Sequence, residues 1–147
     1  MTSESLDEFV RHLQEKINKE EEATYSKEVL QEYRNPTHFG TLQKLDRWGE
    51  ITGSCGDTMR ISLRLKAGII DKARFWTDGC GPTVACGNKL MKLIERNNLG
   101  YVEKLSEQDL LNALGGLPSE HRHCATLAIT TLQSALKNKP SSQEKSV

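Results

Sequence analysis

Four cysteines and their immediate neighbours carry the chemistry of this chain. Cys55, Cys80, Cys86 and Cys124 are separated by 25, 6 and 38 positions. No pair forms Cys-x-x-Cys, which sets aside a thioredoxin-like motif and a zinc ribbon. Cys55 lies in Gly53-Ser54-Cys55-Gly56-Asp57, where the flanking glycines let backbone approach a bound group and leave the thiol uncrowded. Cys80 lies in Asp78-Gly79-Cys80-Gly81-Pro82, at an expected strand-to-helix junction. The positive end of a helix dipole there favours thiolate. Cys124 follows His123 and is expected to open the last helix in the same way. Cys86 falls inside a helical pattern and reads as a small core residue, with an auxiliary ligand as the alternative.

Three thiols with Asp57 and His123 beside them combine soft and harder donors. Soft thiolates select zinc, copper(I) or iron–sulfur clusters. A [2Fe–2S] cluster takes about four protein ligands, usually cysteine and sometimes histidine. Here the fourth would be Asp57 or His123. A carboxylate suits cluster iron less well than a thiolate, so such a cluster is expected to be transferable. A second reading is a sulfurtransferase with zinc on Cys55, Asp57, Cys80 and Cys124, a set that satisfies tetrahedral zinc. A cysteine hydrolase built on Cys124, His123 and Asp57 is disfavoured. Adjacent residues at a helix start point apart, and Cys55 and Cys80 would have no role. A structural zinc module predicts that removing metal unfolds the chain, against which stand the amphipathic patterns described next. His12, His38 and His121 read as surface or loop histidines, and Trp48 and Trp76 as packing residues.

Hydrophobic periodicity predicts the helices and strands on which these residues sit. Leu6, Phe9, Val10, Leu13 and Ile17 form one apolar stripe, which predicts an amphipathic helix over 1–23 docked on the domain or on a partner. A second helix is expected over 25–33, stopped by Pro36, with a loop over 35–40. A short strand is expected over 48–52. Over 59–66, Met59, Ile61, Leu63 and Leu65 alternate with Arg60, Ser62, Arg64 and Lys66, the pattern of a strand with one wet face. Ala67 and Gly68 connect it to an antiparallel strand over 69–77. From Gly81 the period becomes helical, with Pro82 at the first position. Ser106 caps a helix over 107–114 that Gly115 and Gly116 end, and a last helix carries Cys124, Leu127, Ala128, Leu132, Ala135 and Leu136. After Lys137 the composition is that of a solvated tail. Strands first and helices after predict an α+β fold. The expected organisation is a helical extension (1–24), a domain (25–137) and a flexible tail (138–147).

The chain has 147 residues, enough for one domain with its own core. Its 20 Lys and Arg balance 20 Asp and Glu, which argues against a protein that takes its affinity from nucleic-acid phosphates. No apolar run approaches a membrane span, and the charged start carries no secretory pattern. The cytoplasm, where thiols stay reduced, is the expected compartment.

Gly-Ser-Cys-Gly-Asp at 53–57, Asp-Gly-Cys-Gly-Pro at 78–82 and His-Cys-Ala at 123–125 together resemble the three signatures of the IscU/NifU-type iron–sulfur cluster assembly scaffolds. Tyr25 to Pro36 is similar to that family's Tyr-Ser-x-x-Val…Tyr-x-x-Pro start, and Ile70 to Phe75 also fits. The resemblance covers about residues 25–137. It implies a small antiparallel sheet of about three strands with helices packed on one face. It implies Cys55, Cys80 and Cys124 as cluster thiolates, Asp57 as the carboxylate that keeps the cluster labile, and His123 as an alternative ligand. By position Cys124 would also accept persulfide sulfur. The implied cargo is a [2Fe–2S] cluster, or a [4Fe–4S] cluster, with zinc as a surrogate in purified protein. The implied partners are a cysteine desulfurase, an iron donor and recipient apo-proteins, with homo-oligomerisation left open. Many members carry Leu-Pro-Pro-Val-Lys before the last cysteine. Here Leu117, Pro118, Ser119, Glu120 and His121 stand instead, which departs from recognition by a dedicated Hsp70 chaperone. The interval from Cys80 to Cys124 is too short for the insertion of the zinc-binding branch.

Overall fold

The computed structural model describes residues 3–138. The expected tail lies outside the described residues apart from Asn138. Three strands form an antiparallel meander in the order β1-β2-β3: β1 is Arg47–Thr52, β2 is Thr58–Lys66 and β3 is Ile69–Thr77. The helices are α1 (Ser3–Thr24), α2 (Lys27–Arg34), α3 (Gly81–Ile94), α4 (Leu99–Glu103), α5 (Glu107–Ala113) and α6 (Arg122–Lys137). A single 3-10 turn, Ser119–His121, leads into α6.

The alternation in β2 does what it predicts. Met59, Ile61 and Leu63 are fully buried and meet Ile70, Ala73 and Phe75 of β3 on the same face. Leu90, Met91 and Ile94 of α3 and Ala128, Leu132 and Ala135 of α6 cover that face. Full burial of each large apolar side chain contributes about 1.5–3 kcal/mol, so a core of this size does not depend on a metal staple. Ser62, on the expected wet face, is nonetheless buried, because the chain before β1 crosses it and the Leu42 amide donates to its hydroxyl at 3.1 Å. Trp76 is on that outer face too. It is not a core residue but lies under the Arg60 guanidinium, 5.3 Å from the ring centre.

The β2–β3 connection places both central residues at positive φ, Ala67 at 52° and Gly68 at 77°, the geometry of a type I′ hairpin. Helix α2 starts two residues later than expected, because Ser26 is its cap and accepts from the Val29 amide at 3.0 Å. The Ser26 hydroxyl also donates to the Leu114 carbonyl, which pins the α1–α2 junction to the end of α5. Helix α4 was not expected. Its cap is Asn98, which accepts from the Tyr101 amide at 2.8 Å. Helix α1 forms over nearly the expected residues, but its stripe does not dock on the domain. Leu6, Phe9, Val10, Leu13 and Ile17 remain 41–62% exposed.

Candidate functional site

Antiparallel pairing brings the two glycine-flanked cysteines to one end of the sheet. Met59 near the start of β2 pairs with Thr77 at the end of β3, so the β1–β2 turn and the β3–α3 junction are neighbours. Hydrogen bonds stitch them together. The Thr77 hydroxyl donates to the Thr58 carbonyl at 2.6 Å, and the Thr58 amide donates to Asp78 Oδ1 at 2.8 Å. Within the turn, the Gly53 amide donates to the Asp57 carbonyl at 2.8 Å. Cys55 is exposed at its tip.

Cys80 is the N-cap residue of α3, with Pro82 just inside the helix, and its side chain caps nothing. It is exposed, at a helix end as the sequence predicts. Cys124 lies in the first turn of α6, at the helix start as expected, but it is fully buried. Burial pushes its thiol up to about 11; the Thr83 hydrogen bond opposes this, and Cys80, Cys55 and Asp57 add to it. Desolvation disfavours the charged form, so burial opposes the thiolate that the helix start would favour at Cys124. Cys86 is fully buried in the core, and burial holds its thiol far above the ordinary range.

One buried side chain connects the candidate ligands. The Thr83 hydroxyl oxygen is 3.3 Å from Cys124 Sγ, 3.5 Å from Asp57 Oδ2 and 3.9 Å from Cys80 Sγ. Sequence reasoning missed Thr83. The available signal was its position three residues after Cys80, which puts both on one face of α3. His123 is exposed, yet its Nε2 lies 3.7 Å from Cys124 Sγ. The expectation that these neighbours diverge is therefore corrected: the imidazole folds back over the thiol. The Asp57 carboxylate accepts from Thr83, so no Cys–His–Asp line forms.

His121, expected as a surface or loop residue, is half-buried beside the site. Its Nε2 is 3.2 Å from the Tyr25 hydroxyl, and its ring centre is 6.4 Å from that of His123. Burial raises the Tyr25 hydroxyl above its ordinary value, and Cys80, Glu120 and Cys124 act in the same direction. His38 is a loop residue, bonded at Nε2 to Glu95 Oε1 at 3.0 Å. Among the described residues, no three His, Cys, Asp or Glu side chains are gathered closely enough to hold a metal ion as they stand. The fold thus brings Cys80, Asp57 and Cys124 around Thr83, and leaves Cys55 at the tip of an adjacent turn. Among the described residues no helix is long and apolar enough to cross a membrane.

Comparison with known proteins gives a consistent result. The family model for the NifU-like N-terminal domain matches residues 24–146. The chain is 31% identical over 117 residues to the iron–sulfur cluster assembly scaffold protein IscU of Aquifex aeolicus, spanning 78% of this chain and 74% of that protein. It is 32% identical over 117 residues to the nitrogen fixation protein NifU of Azotobacter chroococcum, spanning 78% of this chain but 38% of that longer protein. It is 34% identical over 124 residues to the mitochondrial iron sulfur cluster assembly protein 1 of Schizosaccharomyces pombe, covering 81% and 64%. Among solved structures, a SUF-system scaffold from Fervidobacterium islandicum superimposes with a TM-score of 0.64 at 19% identity, covering 76% of this chain and 96% of that one. A NifU-like N-terminal protein from Brucella abortus gives 0.59 at 16% identity, covering 76% and 91%. At these identities the structures establish the shared fold.

Proposed function

The chain belongs to the family of NifU-like N-terminal domains, and on that premise we propose that it is a scaffold: an iron–sulfur cluster is assembled on it and then passed to recipient apo-proteins. The observation that carries this is the gathering of Cys80, Asp57 and Cys124 around one hydroxyl, beside the exposed turn of Cys55. Three soft donors and one oxygen suit an iron–sulfur cluster that is held and then released. The cluster is cargo, and the protein is a carrier rather than an enzyme.

Cys55, Cys80 and Cys124 would bind cluster iron, with Asp57 as the fourth donor and His123 as its alternative. The glycine-flanked turn must close toward Cys80 and Cys124 to complete the set. A [2Fe–2S] cluster fits four donors, and a [4Fe–4S] cluster is the other form to test. Sulfur would come from a cysteine desulfurase. The Cys124 thiol gives up its proton to a base as its burial is relieved, its sulfur attacks the terminal sulfur of the desulfurase persulfide, a new S–S bond forms, and the desulfurase cysteine leaves as thiolate. Because Cys124 is buried, the groups over its sulfur, the His123 imidazole among them, must move aside for this step. Four free cysteines suit a reducing compartment such as the cytoplasm.

The test is transfer. Protein loaded anaerobically is mixed with an apo-ferredoxin, and the ferredoxin spectrum is followed with and without a strong iron chelator. Holo-ferredoxin forming at an undiminished rate in the presence of chelator supports direct hand-over. Formation abolished by chelator contradicts it, since the iron then passes through solution.

A further inference from the structure

Thr83 binds no iron on the scaffold reading, yet it touches Cys80, Asp57 and Cys124 alike. It is fully buried. A residue needed only for packing here would be served by valine, because a buried hydroxyl costs free energy unless it is hydrogen-bonded. Two features aim the hydroxyl. Thr83 is one helical turn beyond Cys80, on the same face of α3. Its other side is packed against Gly79: a Cβ at Gly79 would lie 2.8 Å from Thr83 Cβ and Cγ2, and 2.9 Å from Asp57 Oδ2. Only the missing side chain at Gly79 lets the threonine methyl and the Asp57 carboxylate come this close. A β-branched side chain has few χ1 wells, and a methyl seated against Gly79 leaves the hydroxyl directed at Cys124 and Asp57.

We infer that Thr83 is a positioning residue whose hydroxyl orients the Cys124 sulfur by hydrogen bonding to it and so sets how firmly that sulfur holds iron. The inference rests on the scaffold reading and adds a residue to it. The hydroxyl has one hydrogen, so donation to Cys124 and donation to Asp57 alternate. A sulfur bound to metal accepts such a bond, and hydrogen bonds to ligand sulfurs tune the site they belong to.

Two variants separate the hydroxyl from the shape. Thr83→Val keeps the volume and removes the donor; Thr83→Ser keeps the donor and removes the methyl. Thr83→Ala replaces Thr83→Val if the latter fails to show a cooperative thermal transition. The first readout uses cobalt(II) alone, through its affinity and its thiolate-to-metal charge-transfer band. The second is the rate at which a chelator strips a reconstituted cluster. The expected result is that Thr83→Val weakens cobalt binding about tenfold, shifts the band and speeds cluster loss about tenfold, while Thr83→Ser stays close to wild type in all three. Equal behaviour of Thr83→Val and wild type overturns the inference, and so does Thr83→Ser failing as badly as Thr83→Val. The scaffold reading fails separately. If wild type builds no cluster but cobalt distinguishes valine from serine, Thr83 keeps its role and the cargo is wrong.

Discussion

Gly87 of α3 lies against the ring of Phe75 in β3, so closely that a Cβ at Gly87 would sit 2.4 Å from Phe75 Cδ2. This contact seats α3 on the sheet and so helps to place the helix end that Cys80 caps. Both residues are fully within the core. Gly87→Ala would ordinarily gain helix propensity, but here it must displace a packed aromatic ring. The expected cost is about 1–3 kcal/mol, the range for overpacking a close-packed core. Urea unfolding checks it, and a variant as stable as wild type would mean that α3 can slide on β3.

On the scaffold reading the cysteines divide into three that would hold cargo and one, Cys86, that fills space in the core. Cys55→Ala, Cys80→Ala and Cys124→Ala are each expected to abolish stable cluster. Cys86→Ala is expected to load fully and to lose about 1 kcal/mol of stability from the small cavity left behind. Iron and sulfide content after gel filtration decides between these outcomes. A Cys86→Ala protein that cannot be loaded would remove the core assignment of that residue.

Asp57 is expected to weaken the cluster rather than to secure it. Oxygen is the poorest match among the donors to cluster iron, and Asp57 is also engaged by Thr83. Asp57→Ala should lengthen cluster lifetime against a chelator by about tenfold, a change of about 1.4 kcal/mol in barrier. Faster loss from the variant would make Asp57 a true anchor.

Acid sensitivity has an identifiable source away from the site. Burial raises the Glu95 carboxyl, but the Ala73 amide, His38 and Arg74 together outweigh it and hold the group below its ordinary value of 4.5. The bonds are 3.0 Å from the Ala73 amide and 3.1 Å to the Arg74 guanidinium. A lowered folded value means that this stability is present above 4.5 and is lost as pH falls through the folded value. Glu95→Gln should therefore be less stable than wild type at neutral pH and should lose less on acidification below about 4.5. Parallel stability curves for the two proteins would place the acid-sensitive group elsewhere.

Much of this architecture was legible because its signals are local. Alternation in 59–66 fixed β2, and the residues of β3 were read without error. Pro36 and Ser106 marked a stop and a start, and Ser106 indeed forms a capping box with Asp109. The three cysteine motifs were legible as candidates because each sits in its own turn or helix end. What stayed hidden depends on contacts between distant segments. Thr83 looks like any helix residue until Cys124 arrives from 41 positions along the chain. Cys124 carries a helix-start signal, but α6 buries it, and only packing reveals which effect wins. Helix α4 contains Gly100 in five residues, a weak propensity rescued by its Asn98 cap. The stripe of α1 shows which face is apolar, and periodicity carries no information on whether anything covers it.

As a scaffold, this chain should hold iron and sulfide together and then give them up. Anaerobic reconstitution with ferrous iron, cysteine and a desulfurase, followed by metal and acid-labile sulfide analysis with visible absorption, tests it most directly. The predicted result is brown protein with iron and sulfide in equal amounts, absent from the Cys124→Ala variant. Colourless protein that retains tightly bound zinc, takes up no sulfide and still speeds the desulfurase would contradict the scaffold and make the chain a zinc-containing sulfur acceptor.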